Sequence, residues 1–256
     1  DINGVVRGKR LPVDQLAKIC GGGMRIPLSS ANVDIWGRDI EGSKWVFKTG
    51  DSDGRCEWTG RGPLVMPWSD RGAAMVPLVL QNDDRTPFDG DARNALAAVL
   101  NRFATLGLRP VPAFELEFYL ADPKAVDGEL SNPLTGASVI REGVLSLDDL
   151  DDFDAILSDI YDACKIQSVA ADAAISESGI GQFEVNLRHG EDAMMVADDA
   201  MLFKTIVKSV ARKYGLAASF MAKPFADRPG NGLHMHFSIL DSSGANVFDN
   251  GDADGS

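Results

Sequence analysis

Polar and apolar positions alternate with a period of two in three separate runs of the chain. Phe114, Leu116 and Phe118 alternate with Glu115 and Glu117. Phe183, Val185 and Leu187 alternate with Gln182, Glu184, Asn186 and Arg188. Leu233, Met235, Phe237 and Ile239 alternate with His234, His236 and Ser238. Such alternation predicts strands with one apolar and one polar face. The predicted strands cover 110–120, 182–188 and 233–240, with two more at 168–176 and 217–225. Between them the period becomes helical. A helix capped by Asp91 carries Leu96, Val99, Leu100, Phe103 and Leu106 on one face and closes at Gly107. A second, over 148–165, carries Leu150, Phe153, Leu157, Ile160 and Cys164, and its aspartate-rich first turn suits the helix dipole. A third, over 192–214, carries Met195, Leu202, Ile206 and Val210 and ends at Gly215. Strands mixed with helices predict an α+β fold. The alternation favours a largely antiparallel sheet with one polar face.

The character of the chain changes near residue 90. Trp36, Trp45, Trp58 and Trp68 all precede it, in a glycine-rich stretch of short alternating segments. One helix is expected there, over 13–20, stopped by Gly21, Gly22 and Gly23. That triplet lacks the G-x-G-x-x-G spacing of a phosphate loop and reads as a turn. The expected organisation is a small, mostly β domain over 1–88 and a larger α+β domain over 89–256, with 122–146 a loop-rich insertion.

Charge removes several functions. The net charge is −13, and so acidic a surface repels phosphate backbones, which argues against nucleic-acid binding. The simplest reading of this charge is a solvated acidic surface, and the sharper one is attraction for cationic partners such as metal ions or organic amines. No apolar run approaches the roughly 18–20 residues of a membrane span. No basic-then-apolar opening segment resembles a secretory leader. Cys20, Cys56 and Cys164 are odd in number and far apart, which predicts free thiols in a reducing cytoplasm.

The polar faces carry the chemistry. Glu115 and Glu117 are two apart, so both carboxylates point to the same side of an otherwise apolar strand. Adjacent carboxylates repel and resist burial, so a cation is expected between them. Glu184 repeats the pattern, and the turn Ser178–Gly181 can return Glu177 to the same face. His234 and His236 share one side of their strand, after the Gly230–Asn231–Gly232 turn. Together the strands predict one sheet face bearing Glu115, Glu117, Glu177, Glu184, His234, His236 and Ser238. Many oxygens with one imidazole suit Mg²⁺ or Mn²⁺ better than zinc. So many carboxylates imply more than one divalent ion, and paired ions facing a cleft most often clamp a triphosphate during phosphoryl transfer. Asn250 to Gly255 approaches a calcium loop, but its first position is Asn, and it reads as a solvated turn.

These residues resemble the glutamine synthetase family. Glu115–Phe118 is similar to its acidic metal-binding strand. Glu177, Gly181, Gln182 and Glu184 match its E-x-x-x-G-Q-x-E segment. Gly230 to Ser238 is similar to its glycine-rich turn and H-x-H-x-S strand, and Lys223-Pro224 also fits. The likeness extends to Asp1–Gly4 and Arg7–Lys9. The resemblance implies a β-grasp-like first domain and a catalytic domain with an antiparallel sheet flanked by helices. It implies that Glu117, Glu177 and Glu184 hold one ion beside the acceptor carboxylate, and that Glu115 and His234 hold another on ATP, with two or three ions per site. His236 would touch the phosphates and Ser238 would lie near the nucleotide. Gly230 would offer its backbone to glutamate, with Asn231 beside it. The implied reaction activates the side-chain carboxylate of glutamate as an acyl phosphate, which an amine then attacks.

Family members complete their active sites between subunits of a large homo-oligomer, with the amine-deprotonating acid on the small domain. Asp39, within Trp36–Gly42, is the candidate here, and Asp34 and Asp51 are alternatives. The D-G-S-S pattern of ammonia-using members is missing at this point. That departure resembles the branch that joins glutamate to polyamines or other organic amines. An ammonia-using enzyme and a non-catalytic sensor of glutamate or polyamine are the alternative readings. The resemblance also puts further arginines and a last metal-binding glutamate beyond residue 256, so a longer natural protein is expected.

Overall fold

The computed structural model describes residues 1–124, 131–137 and 143–252. The expected loop-rich insertion lies partly outside these residues, as does the end of the calcium-loop look-alike. Two compact units emerge, one of residues 1–65 with 73–106 and one of 66–72 with 107–256.

The first unit contains α1 (Leu16–Cys20), β1 (Met24–Pro27), α2 (Lys44–Phe47), β2 (Asp53–Trp58), β3 (Leu64–Val65), β4 (Ala74–Met75), β5 (Leu78–Gln81) and α3 (Ala92–Thr105). β1, β2 and β5 form an antiparallel sheet in that order, and β3 pairs with β4. Leu28, Cys56, Leu80 and Phe88 form its core, with Trp45 edge-on to Phe88 at 5.1 Å. The composition shift assigns α3 to the second domain, but its contacts place it in the first unit. One oxygen of Asp91 caps α3 through Arg93 N–H at 2.8 Å, while the other accepts Leu80 N–H at 2.8 Å. Asn94 adds a bond to the Leu80 carbonyl, so the start of α3 is fastened to β5. Its predicted apolar face contains no fully buried residue.

The second unit continues with β6 (Arg109–Ala121), α4 (Leu147–Asp152), α5 (Asp154–Ile166), β7 (Ala171–Ser176), β8 (Gln182–Leu187), α6 (Ala193–Lys213), β9 (Ala217–Ser219) and β10 (Leu233–Leu240). Its five-stranded sheet has the order β10-β6-β8-β7, with β9 also on β6, and each of these pairings is antiparallel. β6 is long enough to take β10 at one end and β9 at the other, both on the edge away from β8.

The apolar sides of β6 and β8 face α5 and α6. Phe118 lies opposite Phe183 and packs edge-on against Phe203 of α6. Phe183 in turn meets Phe153 at 4.9 Å. Each such side chain contributes roughly 1.5–3 kcal/mol on burial. Helices on one side leave the other side of the sheet for chemistry. Two predicted elements differ. The helix expected over 148–165 is two helices joined at Phe153. The strand expected over 217–225 stops at Ser219, because the Ser219 and Met221 carbonyls accept from the Asn231 side chain and not from a strand. Cys56 and Cys164 are buried free thiols, pushed by desolvation up to about 11 and about 12.

Candidate metal centre

Strand register assembles the site. Glu117 of β6 stands directly opposite Glu184 of β8, and Glu115 stands opposite Asn186. On the other edge of β6, His234 of β10 is opposite Glu115. The turn between β7 and β8 is closed by Glu177 N–H donating to the Gln182 carbonyl at 2.9 Å, which brings Glu177 back over the sheet. Like charges directly opposite across a strand pair destabilise it. This sheet nonetheless gathers four carboxylates.

Two groups of ligand atoms result. Glu115, Glu184 and His234 form one, and Glu117, Glu177 and Glu184 form the other, with the atoms of each group within 4.8 Å of one another. Opposed oxygens on one Mg²⁺ lie about 4 Å apart. The spacing and the oxygen-rich donor set therefore fit a divalent ion of this kind in each group. Glu184 belongs to both and is 7% exposed. Burial first, and then Glu115, Glu177 and Glu117, push its carboxyl above the usual carboxylate range. Glu177 is raised by burial and by Glu117. Burial is the larger cause of both shifts, and the neighbouring carboxylates that add to it form an anionic cluster that favours an added positive charge.

The histidines also converge. His234 Nδ1 and His236 Nε2 each lie 3.2 Å from the same Oε2 of Glu115. Ser238 sits opposite Val111, four residues past His234 and so roughly 13 Å further along the strand. It is outside both triads. Gly232 passes so near Glu117 that an added Cβ would lie 2.6 Å from Oε1. The glycine-rich turn thus lies against the carboxylates. Asn231 is committed within that turn: its amide nitrogen donates to Ser219 and Met221, and its Oδ1 lies 3.0 Å from Gln182 Nε2. Asp39 lies in the first unit, exposed and bridged to Val33, where Asp34 accepts from Trp36 and Arg38 N–H.

Two residues of the polar face had no assigned role in the sequence. Asn186 donates to Glu115 Oε1 at 2.9 Å, and Gln182 donates to Glu117 Oε2 at 3.2 Å. Both share the period-two face of Glu184, which is the signal that could have marked them.

An antiparallel sheet with helices on one face and, on the other, two overlapping triads that could hold divalent ions defines the α+β class to which this chain belongs. Residues 89–256 match the glutamine synthetase catalytic domain, and the chain belongs to the glutamine synthetase family. It is 35% identical to gamma-glutamylputrescine synthetase PuuA of Escherichia coli (strain K12), over 100% of this chain and 54% of that one. A glutamine synthetase of Pyrococcus horikoshii is 32% identical, over 97% and 51%. The glutamate–isopropylamine ligase of a Pseudomonas species is 28% identical, over 98% and 55%. Among solved structures, a GmaS/ADP complex superposes with a TM-score of 0.78 at 26% identity, over 100% of this chain and 55% of that one. The chain spans about half the length of the curated relatives it matches.

Proposed function

We propose that the intact protein is an ATP-dependent ligase that joins the γ-carboxylate of glutamate to an organic amine through a γ-glutamyl phosphate. The observation that carries this reading is the pair of acidic triads sharing Glu184. Two adjacent ion sites suit a reaction that brings an anionic phosphoryl group to an anionic carboxylate. Relatives named for putrescine and isopropylamine support an organic amine as the acceptor.

Divalent ions, when bound, neutralise charge on the phosphoryl oxygens. Glu117, Glu177 and Glu184 hold the ion on the glutamate side, and Glu115, Glu184 and His234 hold the one on the nucleotide side. His236 reaches the phosphates and Ser238 borders the nucleotide. The backbone of Gly230, with Asn231 holding the turn, meets glutamate. Most amines are protonated at neutral pH and cannot attack, so a carboxylate must take the proton. Asp39 of a neighbouring subunit is assigned that role, within a large cytoplasmic homo-oligomer.

The test is ADP release by the intact protein with glutamate, Mg²⁺ and, in turn, putrescine, spermidine, ethanolamine, isopropylamine or ammonia. Turnover with one or more organic amines is expected, and its loss in Glu117→Ala and Glu184→Ala. Turnover with ammonia alone would instead assign a glutamine synthetase. Metal-independent turnover, or none with any amine, would overturn the reading. Asp39→Asn is expected to bind ATP but form no amide.

A further inference from the structure

We propose that Gln182 is a positioning residue that ties the glutamate-side triad to the glycine-rich turn, so that ion site and substrate turn behave as one mechanical unit. This rests on the reading of the site given above. Gln182 is 2% exposed, and both ends of its amide are engaged. Its Oε1 accepts Gly179 N–H at 3.0 Å, within the turn that delivers Glu177. Its Nε2 lies 3.2 Å from Glu117 Oε2, 2.8 Å from the Gly230 carbonyl and 3.0 Å from Asn231 Oδ1.

The orientation of this amide is determined by its neighbours. A backbone N–H can only donate, so the end facing Gly179 must be oxygen. Asn231 gives its own NH₂ to two carbonyls, which turns its Oδ1 toward Gln182. A flip of Gln182 would put an oxygen against one carboxylate and two more oxygens. Three acceptors converge on two N–H bonds, so the group is held from several sides.

A neutral amide suits this place chemically. A lysine there would pair with Glu117 and compete with a cation. A carboxylate would add to the repulsion already lifting Glu177 and Glu184. Gln182 orients Glu117 by a hydrogen bond while leaving the negative charge of the site intact. The same nitrogen holds Gly230 and Asn231, the turn assigned to glutamate. The other triad, with Glu115 and His234, receives no bond from this amide. Loss of the Gln182 donors should therefore damage one ion site and glutamate together and spare the nucleotide.

The experiment uses the intact protein with Gln182→Glu, which keeps size and the acceptor, and Gln182→Met, which removes both polar ends. Mn²⁺ binding is titrated directly by electron spin resonance, nucleotide binding is measured at equilibrium, and KM and kcat for glutamate are determined. Removal of a hydrogen-bond partner of a metal ligand typically weakens metal binding about 10–100-fold. For Gln182→Met, which removes the donors without adding charge, the expected result is at least a tenfold loss at one class of Mn²⁺ site, a comparable rise in the KM for glutamate, and nucleotide affinity within about twofold; Gln182→Glu, whose added charge itself attracts Mn²⁺, is read by its rise in the KM for glutamate. Folded Gln182→Met protein with unchanged Mn²⁺ binding overturns the proposal. So does an equal loss of nucleotide affinity, and so does failure of both variants to fold, which would assign the amide to fold stability alone. The Mn²⁺ titration needs no turnover, so a weakened site in a protein inactive with every amine would retain this proposal and reject the ligase reading.

Discussion

β8 and β10 flank the same strand, β6, and alternate polar and apolar residues in the same way, yet their apolar sides meet opposite fates. Phe183, Val185 and Leu187 of β8 are 0%, 1% and 3% exposed. Leu233, Met235 and Phe237 of β10 are 62%, 55% and 49% exposed. Helix α6 packs on β6 and β9, helix α5 packs on β7, and Phe183 of β8 is held between the rings of Phe118 and Phe153, whereas Phe237 of β10 meets the ring of Phe248 at 6.0 Å. Alternation therefore marks which side of a strand is apolar but not whether another element covers it. The polar sides do not share this asymmetry. Glu184 and His234 arrive at the same triad from opposite edges of β6, because only the register of each strand with β6 matters to them.

The comparison can be broken first through stability. Phe183→Ala is expected to cost about 3–5 kcal/mol in urea unfolding, the range for a large buried side chain. Phe237→Ala should cost about 1 kcal/mol, because half of its surface gains little from burial. Equal losses in the intact protein would show that β10 is covered there as fully as β8.

The turn that feeds β8 sharpens the contrast. A Cβ on Gly179 would lie 2.1 Å from the Oη of the fully buried Tyr119 and 2.8 Å from Gln182 Oε1. Neither atom can retreat without losing a hydrogen bond, Tyr119 Oη donating to the Pro229 carbonyl at 2.9 Å. Gly179→Ala should cost about 1–3 kcal/mol, as overpacking commonly does. A neutral result would show that the turn can shift away from Tyr119.

The smallest effect concerns Glu184 in protein stripped of divalent ions. Its carboxyl is raised in the folded state by burial and then by neighbouring carboxylates. A carboxyl raised on folding opposes folding above its folded pKa, and the penalty fades as pH falls toward the unfolded value of about 4.3. Glu184→Gln should therefore raise Tm at pH 7, and the difference should shrink as the pH is lowered toward 4.3. Thermal melts across that interval would reveal a constant or reversed difference, either of which contradicts the repulsion described for β8.

Much of the site was legible because a strand has a period of two. Glu115, Glu117, Glu184 and His234 could be placed on one face from spacing alone, and Glu177 followed from the turn before Gln182. The resemblance then ordered them into ion sites. What spacing could not show was which atoms meet. Gln182 stood in the motif and on the right face, but its bonds to Gly230 and Glu117 depend on two segments remote in sequence. The break at Phe153 was hidden for a related reason: the helical pattern continues through it, while the residue turns inward onto Phe183. The end of β9 at Ser219 was set by Asn231, a side chain 12 residues away. Local pattern decided α6, where Asp192 caps Met194 and Met195 N–H and Gly215 follows the last turn.

The double occupancy of one edge of β6 has a kinetic meaning. β9 is tied to Tyr119–Ala121, and Leu233 at the start of β10 is tied to Leu116, so the chain between them forms a ring closed on a single strand. The Glu117 N–H donates to the Gly232 carbonyl at 3.2 Å, and the Asn231 N–H donates to the Ala222 carbonyl at 2.8 Å. The glycine-rich turn therefore cannot drift from Glu117 by swinging about one end. It must unzip part of the ladder, a sub-global opening of the kind amide hydrogen exchange detects. The Glu117 and Asn231 amides should then exchange with a common opening rate, and that rate would be the clock for any rearrangement of the turn beside the carboxylates.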